Sequence, residues 1–192
     1  MNIGIYIYDG AEVLDFSGPF EVFSTAKRLA GKDWNINLVA QSWQPIAARG
    51  GFQVIPHQDF SNHEQYDLLL ISGGEHHAQL ENQQVLHWLK MQAERVTYLA
   101  SVCTGGFLLA EAGLLDGLQV TTHWEDLADL ESRYPALDVI ANQRWVEQGN
   151  VLTSGGISAG IDMSLGLVGK LASGSLAQQT AKQMEYVWSK NQ

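Results

Sequence analysis

The sequence is short of cysteine, of basic residues and of long apolar runs, and each shortage excludes a class of protein. Its single cysteine, Cys103, cannot form an internal disulfide, and no cysteine cluster is present to hold zinc. Lys and Arg number 11 against 21 Asp and Glu, so the net charge of −10 repels nucleic-acid phosphates and anionic lipid surfaces. No apolar run approaches the ~20 residues that span a bilayer, and no basic leader precedes Lys27, the first lysine. We therefore expect a cytoplasmic protein with no nucleic-acid or membrane partner.

The chain has enough hydrophobic residues to form one core. Hydrophobic residues make up 45% of the 192 residues and charged residues only 17%, which is too apolar for a disordered chain. The length slightly exceeds one average domain of roughly 150 residues. Because no repeat, low-complexity tract or linker interrupts the sequence, we predict a single domain over residues 1–192.

Short β-rich apolar runs alternate with stretches of helical periodicity along the chain. The predicted strands are 3–8, 36–40, 68–71, 96–102, 118–121 and 139–140, with a hairpin joining 144–146 to 150–153 and a short strand or hairpin near 52–55. One predicted helix begins near Pro19, and the others cover 81–94, 107–112, 124–132, 158–172 and 175–188. This alternation indicates an α/β fold: a mostly parallel sheet sandwiched by helices, flavodoxin-like with three layers, plus a small antiparallel hairpin.

Three loops follow predicted strands and carry the residues of most chemical interest, namely 9–18, 72–77 and 103–106. In open α/β sheets, ligands bind outside the carboxyl ends of the strands. We therefore expect these loops to meet at one edge of the sheet and to form the functional site.

Cys103 lies between a predicted buried strand and a predicted helix. The small residues that follow it, Thr104-Gly105-Gly106, permit the sharp turn of a nucleophile elbow, which projects its side chain into a cleft. The beginning of a helix favours thiolate over thiol, so we expect an acidic, nucleophilic cysteine. The alternative is a buried apolar cysteine, which is the usual environment of a lone thiol.

A nucleophile also needs a group that moves protons and donors that stabilise charge. Asp15 is the carboxylate that best suits proton transfer, because Leu14 and Phe16 flank it and would raise its pKa; it is equally explained as a carboxylate near a helix N-terminus. Backbone N–H groups at Gly74 and Thr104 are candidates for an oxyanion hole, although a Gly-Gly pair can be a simple tight turn.

Other residues are candidates for the wall of the same pocket. Gly73 ends a predicted strand, and His123 follows another and can approach Cys103, although a structural role in its loop explains it as well. His76 and His77 follow the Gly-Gly turn and are candidates for the cleft or for solvated loop positions. No two histidines have the spacing of metal ligands, and the glycine-rich turns lack the spacing of a dinucleotide or phosphate loop. We predict no metal and no cofactor.

Four motifs in order resemble the DJ-1/PfpI superfamily, a branch of the class I glutamine amidotransferase-like fold, over almost the whole chain. Within it the sequence is most similar to the isonitrile hydratase subgroup. The motifs are Leu14-Asp15-Phe16-Ser17-Gly18-Pro19, Ser101-Val102-Cys103-Thr104-Gly105, Thr121-Thr122-His123-Trp124 and Ser154-Gly155-Gly156-Ile157-Ser158-Ala159-Gly160-Ile161-Asp162. The resemblance implies a homodimer with a small electrophilic substrate.

Departures from other branches narrow the expected activity. No histidine follows His123, so the late His-x-Glu pair of glutamine amidotransferases is missing, and Thr104 stands where the protease-like members have histidine. The first loop offers Asp15 where DJ-1 itself has a glutamate. Related regulators append a C-terminal helix-turn-helix domain, whereas this sequence ends at Asn191-Gln192, so we expect no DNA binding.

The resemblance implies that the protein hydrates an organic isonitrile to an N-substituted formamide through a cysteine thioimidate. In that reaction Cys103 is the nucleophile, Asp15 the acid and base, and Thr104 positions Asp15 or the water. Two alternatives stay open. One is a glyoxalase-like reaction on small 2-oxoaldehydes, with His123 as proton shuttle, and the other is a redox or stress sensor in which Cys103 is oxidised.

Overall fold

A computed structural model describes residues 1–31 and 33–190; Asn191 and Gln192, where the sequence ends, lie outside this range. Its central sheet contains seven strands, which are β1 (Asn2–Tyr6), β2 (Asn35–Ala40), β5 (Gln58–Asp59), β6 (Leu68–Ile71), β7 (Tyr98–Val102), β10 (Trp145–Gln148) and β11 (Val151–Ser154). Their order across the sheet is β10-β11-β7-β6-β1-β2-β5. All neighbours pair in parallel except β10 and β11, which form an antiparallel hairpin at one edge.

Two small sheets and the helices complete the architecture. The small sheets pair β3 (Ile46–Ala47) with β4 (Gln53–Val54) and β8 (Gln119–Val120) with β9 (Asp138–Val139). The helices are α1 (Val13–Ala30), α2 (His77–Leu80), α3 (Gln83–Ala93), α4 (Gly105–Glu111), α5 (Leu127–Arg133), α6 (Ala159–Leu171) and α7 (Gly174–Gln183). Helices α1, α6 and α7 pack together, and α2, α3 and α4 form a second group, so the predicted α/β fold is confirmed.

Burial of both faces of the sheet explains why the central strands are continuous apolar runs in the sequence. All four residues of β6 are fully buried, because helices cover both faces of a parallel sheet. None of the helices in the described ranges is long and apolar enough to cross a membrane.

The predicted start of the first helix near Pro19 is wrong, because α1 begins at Val13 and contains Pro19. Proline is favoured in a first turn and costs a backbone hydrogen bond inside a helix. Tertiary contacts offset that cost: Phe16 is only 2% exposed, and a Cβ on Gly18 would lie 2.9 Å from Ile161 Cγ1 of α6. The earlier start places Asp15 in the first turn of the helix, facing the sheet edge.

Candidate functional site

The three loops predicted to converge do meet at the carboxyl edge of the sheet. Ala11 and Gly74 form an isolated β-bridge, and the Glu12 N–H donates to the Gly73 carbonyl at 2.9 Å. The Gly74 N–H in turn donates to Thr104 Oγ1 at 2.9 Å. These contacts tie the segments that follow β1, β6 and β7 into one framework.

Cys103 occupies a strained position between β7 and α4. Its φ of 56° lies in the left-handed region, which costs a non-glycine residue about 1–3 kcal/mol and persists only where neighbours enforce it. Two hydrogen bonds hold this conformation. The Cys103 N–H donates to the Ser154 carbonyl at 3.1 Å, and the Thr122 hydroxyl donates to the Cys103 carbonyl at 2.8 Å. The residue is 8% exposed and lines a cavity of about 270 Å³.

Asp15 is completely buried beside the cysteine. Its Oδ2 accepts from the Gly73 N–H at 3.1 Å, and Oδ1 has no hydrogen-bond partner among the described residues. A Cβ on Gly73 would lie 2.8 Å from Asp15 Oδ2, 2.8 Å from Cys103 Cβ and 2.6 Å from the Thr104 nitrogen. Only glycine fits between the carboxyl group, the thiol and the turn, so Gly73 lets these groups approach. It is not among the described residues that line the cavity, where the sequence placed it.

Burial controls protonation at this pair. Desolvation raises the pKa of Asp15 to about 7, although the hydrogen bond from Gly73 and the nearby Cys103 thiol and Ile157 amide lower it. Burial also raises the pKa of the Cys103 thiol, as does the nearby Asp15 charge, while the Thr104 amide opposes both effects. The expectation of an acidic cysteine is therefore wrong for this state, because desolvation outweighs the start of a short helix.

Thr104 and Gly74 bond to each other rather than to Asp15. The Thr104 hydroxyl donates to the Gly74 carbonyl at 3.0 Å and accepts from the Gly74 N–H at 2.9 Å. This occupies the Gly74 amide that was expected to stabilise an oxyanion, and it turns the hydroxyl away from positioning Asp15. The Thr104 backbone N–H is the donor that remains close to Cys103.

His123 forms part of the cavity wall, as its predicted pocket position requires. Its ring packs so closely on Gly156 that no Cβ fits there, and its Nδ1 lies 3.5 Å from Asp126 Oδ2. His76 and His77 also line the cavity, and their rings stack with centroids 4.5 Å apart. His76 is 5% exposed, and its Nε2 has no hydrogen-bond partner among the described residues.

Sequence reasoning missed several residues of the site. Ile157 has a φ of 56° and brings its amide to Asp15, and Arg49, Glu125 and Asp126 line the cavity. Ile157 lies in a recognised motif, but nothing in the sequence marks it as a contact of Asp15. Arg49 precedes the short strand or hairpin predicted near 52–55, and only the tertiary structure shows that it reaches the site. Within residues 1–31 and 33–190, no three His, Cys, Asp or Glu side chains cluster as metal ligands.

A scan against family models matches the DJ-1/PfpI family over residues 1–170. Among curated proteins, the chain is 34% identical over 189 residues to an isonitrile hydratase from Pseudomonas putida, covering 97% of this chain and 78% of that protein. It is also 27% identical to the HTH-type transcriptional regulator GbdR from Pseudomonas aeruginosa, covering 88% of this chain but only 46% of the regulator.

A solved structure supports the same assignment. A ThiJ/PfpI family protein from Pseudomonas syringae superposes with a TM-score of 0.87 at 28% identity, covering 96% of this chain and 74% of that one. Family and fold are therefore shown by sequence and by structure together.

Proposed function

This chain belongs to the DJ-1/PfpI family, and from that premise we propose that it hydrates a small organic isonitrile, R–N≡C, to the N-substituted formamide. The observation that carries the proposal is the pair formed by Cys103 and the buried Asp15, whose pKa is raised to about 7. The 34% identity to an isonitrile hydratase over 97% of the chain supports this substrate class.

Asp15 suits the proton transfers of the first step, since a group with a pKa near neutrality both accepts and returns a proton. Asp15 takes the thiol proton as the sulfur of Cys103 attacks the terminal carbon of the isonitrile. The lone pair of that carbon then takes the proton from Asp15. The product is a thioimidate, R–N=CH–S, on Cys103, with one carbon–sulfur bond formed.

Hydrolysis of the thioimidate completes the cycle. Asp15 removes a proton from a water molecule as the water oxygen attacks the thioimidate carbon. Asp15 then passes that proton to the thioimidate nitrogen. The tetrahedral adduct collapses when the carbon–sulfur bond breaks, and the hydroxyl proton returns through Asp15 to sulfur. The sum is R–N≡C plus water giving R–NH–CHO. The Thr104 N–H, which lowers the pKa of the Cys103 thiol, is placed to stabilise negative charge on the sulfur as the carbon–sulfur bond forms and breaks.

The test measures the formamide that wild type, Cys103→Ala and Asp116→Asn each form from a simple alkyl isonitrile. We expect Cys103→Ala to show no turnover above buffer, and the exposed Asp116→Asn to match wild type. Turnover that survives loss of the thiol would refute the thioimidate route. No turnover by wild type would refute the substrate class.

The two alternative functions differ in what the site offers them. A glyoxalase-like reaction would use the same Cys103, with His123 in the cavity wall as its proton shuttle. It predicts that the protein converts methylglyoxal to lactate. A redox sensor is disfavoured, because Cys103 is the chain's single cysteine and has no internal thiol with which to form a reversible disulfide.

A further inference from the structure

The cavity above Cys103 carries an unbalanced charge. Four carboxylates line it, Glu12, Glu75, Glu125 and Asp126. Arg49 is the one Lys or Arg side chain among the lining residues that the structure describes.

Arg49 is already neutralised by two of these carboxylates. Its Nη1 lies 3.2 Å from Glu12 Oε2, and its Nε lies 3.9 Å from Glu75 Oε1. Among the described residues, Glu125 and Asp126 have His123 as their ion-pair partner, whose Nδ1 lies 3.9 Å and 3.5 Å from their oxygens. With the histidines neutral, the mouth keeps an excess of three negative charges, four carboxylates against one guanidinium.

Two of the carboxylates are placed where solvent screens them least. The side chains of Glu12 and Asp126 are 20% and 34% exposed, against 70% for Glu75 and 63% for Glu125. Charges of one sign that line a cleft focus their field into it and change the local concentration of charged solutes by about 10- to 1000-fold. A second feature marks the cavity as a ligand site: His76, 5% exposed, lines it with a ring nitrogen that has no partner among the described residues.

We propose that the mouth of this cavity selects substrates by charge, admitting cationic and neutral electrophiles and excluding anionic ones. The inference rests on the proposed function for the identity of the reacting group, and it deepens that function by naming the substituent: an R group that is neutral or carries an ammonium, not a carboxylate, phosphate or sulfonate. Attraction acts before any bond forms, so it changes the rate of capture rather than the chemical step.

The test uses the thiol itself and needs no isonitrile. Cys103, the chain's one cysteine, is reacted with 2-aminoethyl or 2-sulfonatoethyl methanethiosulfonate at neutral pH. In each case the sulfur of Cys103 attacks the sulfenyl sulfur, a mixed disulfide forms and methanesulfinate leaves. The ratio of the rate with the cationic reagent to the rate with the anionic reagent is divided by the same ratio for free 2-mercaptoethanol. This corrects for the difference in intrinsic reactivity between the two reagents.

We expect a normalised ratio of about 10 or more at ~0.01 M salt, falling towards unity as salt rises to ~0.15 M and the Debye length shortens. The double variant Glu125→Gln/Asp126→Asn lowers the ratio several-fold, and Arg49→Gln raises it. The matched control is Glu64→Gln/Glu94→Gln, which also removes two negative charges; both residues are exposed and lie before β6 and β7, at the opposite edge of the sheet. It leaves the ratio unchanged.

A normalised ratio near unity in low salt, an effect of Glu64→Gln/Glu94→Gln as large as that of Glu125→Gln/Asp126→Asn, or a thiol that reacts with neither reagent would overturn the inference. Isonitriles of equal length with an ammonium or a carboxylate then give a separate result. Selection by charge predicts a higher kcat/KM for the ammonium compound at similar kcat. If labelling is charge-selective and neither isonitrile is turned over, the proposed substrate class fails and selection by charge stands.

Discussion

The carboxyl group of Asp15 is fully buried, and desolvation makes its protonated form the one that favours the folded state. The pKa of Asp15 is raised from its ordinary 3.8 to about 7 by desolvation. Since the folded state holds this proton more tightly than the unfolded state, its contribution to stability is complete below about pH 4 and is lost as pH rises through about 7. Ionisation of this one group costs on the order of 4 kcal/mol.

Replacing Asp15 with Asn therefore separates stability from activity. We expect Asp15→Asn to abolish isonitrile turnover while raising the free energy of unfolding at about pH 8 by a few kcal/mol. The gain should shrink towards zero near pH 4. Urea unfolding at several pH values measures this, with Asp116→Asn as an exposed control. A difference between wild type and Asp15→Asn that does not grow with pH would contradict a raised pKa.

Two glycines of the site provide a matched steric test. A Cβ on Gly73 would lie 2.6 Å from the Thr104 nitrogen, and one on Gly106 meets no atom nearer than Ser101 Oγ at 3.6 Å. We expect Gly73→Ala to lose about 1–3 kcal/mol of stability and most activity, because backbone must move. Gly106→Ala, within α4, should be neutral or stabilise by up to about 1 kcal/mol. Thermal unfolding and turnover of both variants check this, and equal losses would argue against the close approach at Gly73.

At the scale of elements, the start of α6 is held by an ion pair between a buried carboxylate and a partly exposed arginine. Asp162, fully buried in its first turn, accepts from Arg144 Nε at 2.7 Å and also from its Nη2. Its Oδ1 accepts from the Ser189 N–H at 2.9 Å, and its carbonyl accepts from Trp188 Nε1 at 3.1 Å. Arg144 also reaches Ser158, the neighbour of Ile157. The chain's C-terminal segment is thereby tied to the wall of the cavity.

Breaking this pair should cost far more than breaking a surface pair. Arg144→Gln leaves a buried carboxylate without its cation, and we expect a loss of about 3 kcal/mol, the low end of the range because the arginine is partly exposed. Arg28→Gln removes the exposed partner of Glu21, 3.6 Å away, and should cost less than about 1 kcal/mol. Denaturant unfolding of the two variants gives the comparison. Similar losses would mean that Asp162 is hydrated after all.

At the scale of the whole molecule, we expect the chain to pair with a second copy, as its family resemblance implies. Apolar side chains remain exposed on the surface, among them Phe52 at 52% and Ile55 at 67%. Light scattering after size exclusion should give twice the mass of the chain. A mass of one chain at micromolar concentration would refute the homodimer.

The sequence by itself determined the layers of this protein. Apolar runs such as Leu68–Ile71 fix buried parallel strands, and their alternation with helical periods leaves one arrangement that covers both faces of the sheet. The turn at Cys103 and the three loops at the carboxyl edge followed from the same pattern, because parallel strands bring their carboxyl ends together.

Only the tertiary structure decided what the site can do. Because Phe16 and Gly18 are packed in the interior, α1 begins at Val13 and not near Pro19, and Asp15 is buried beside Cys103. Desolvation there raises both pKa values, an effect that depends on distances between segments far apart in sequence. The acidic mouth, with Arg49 from one loop and Asp126 from another, likewise exists only when the chain is folded. Periodicity in a sequence reports which face of an element is buried, whereas the protonation and charge of a site depend on which side chains become neighbours.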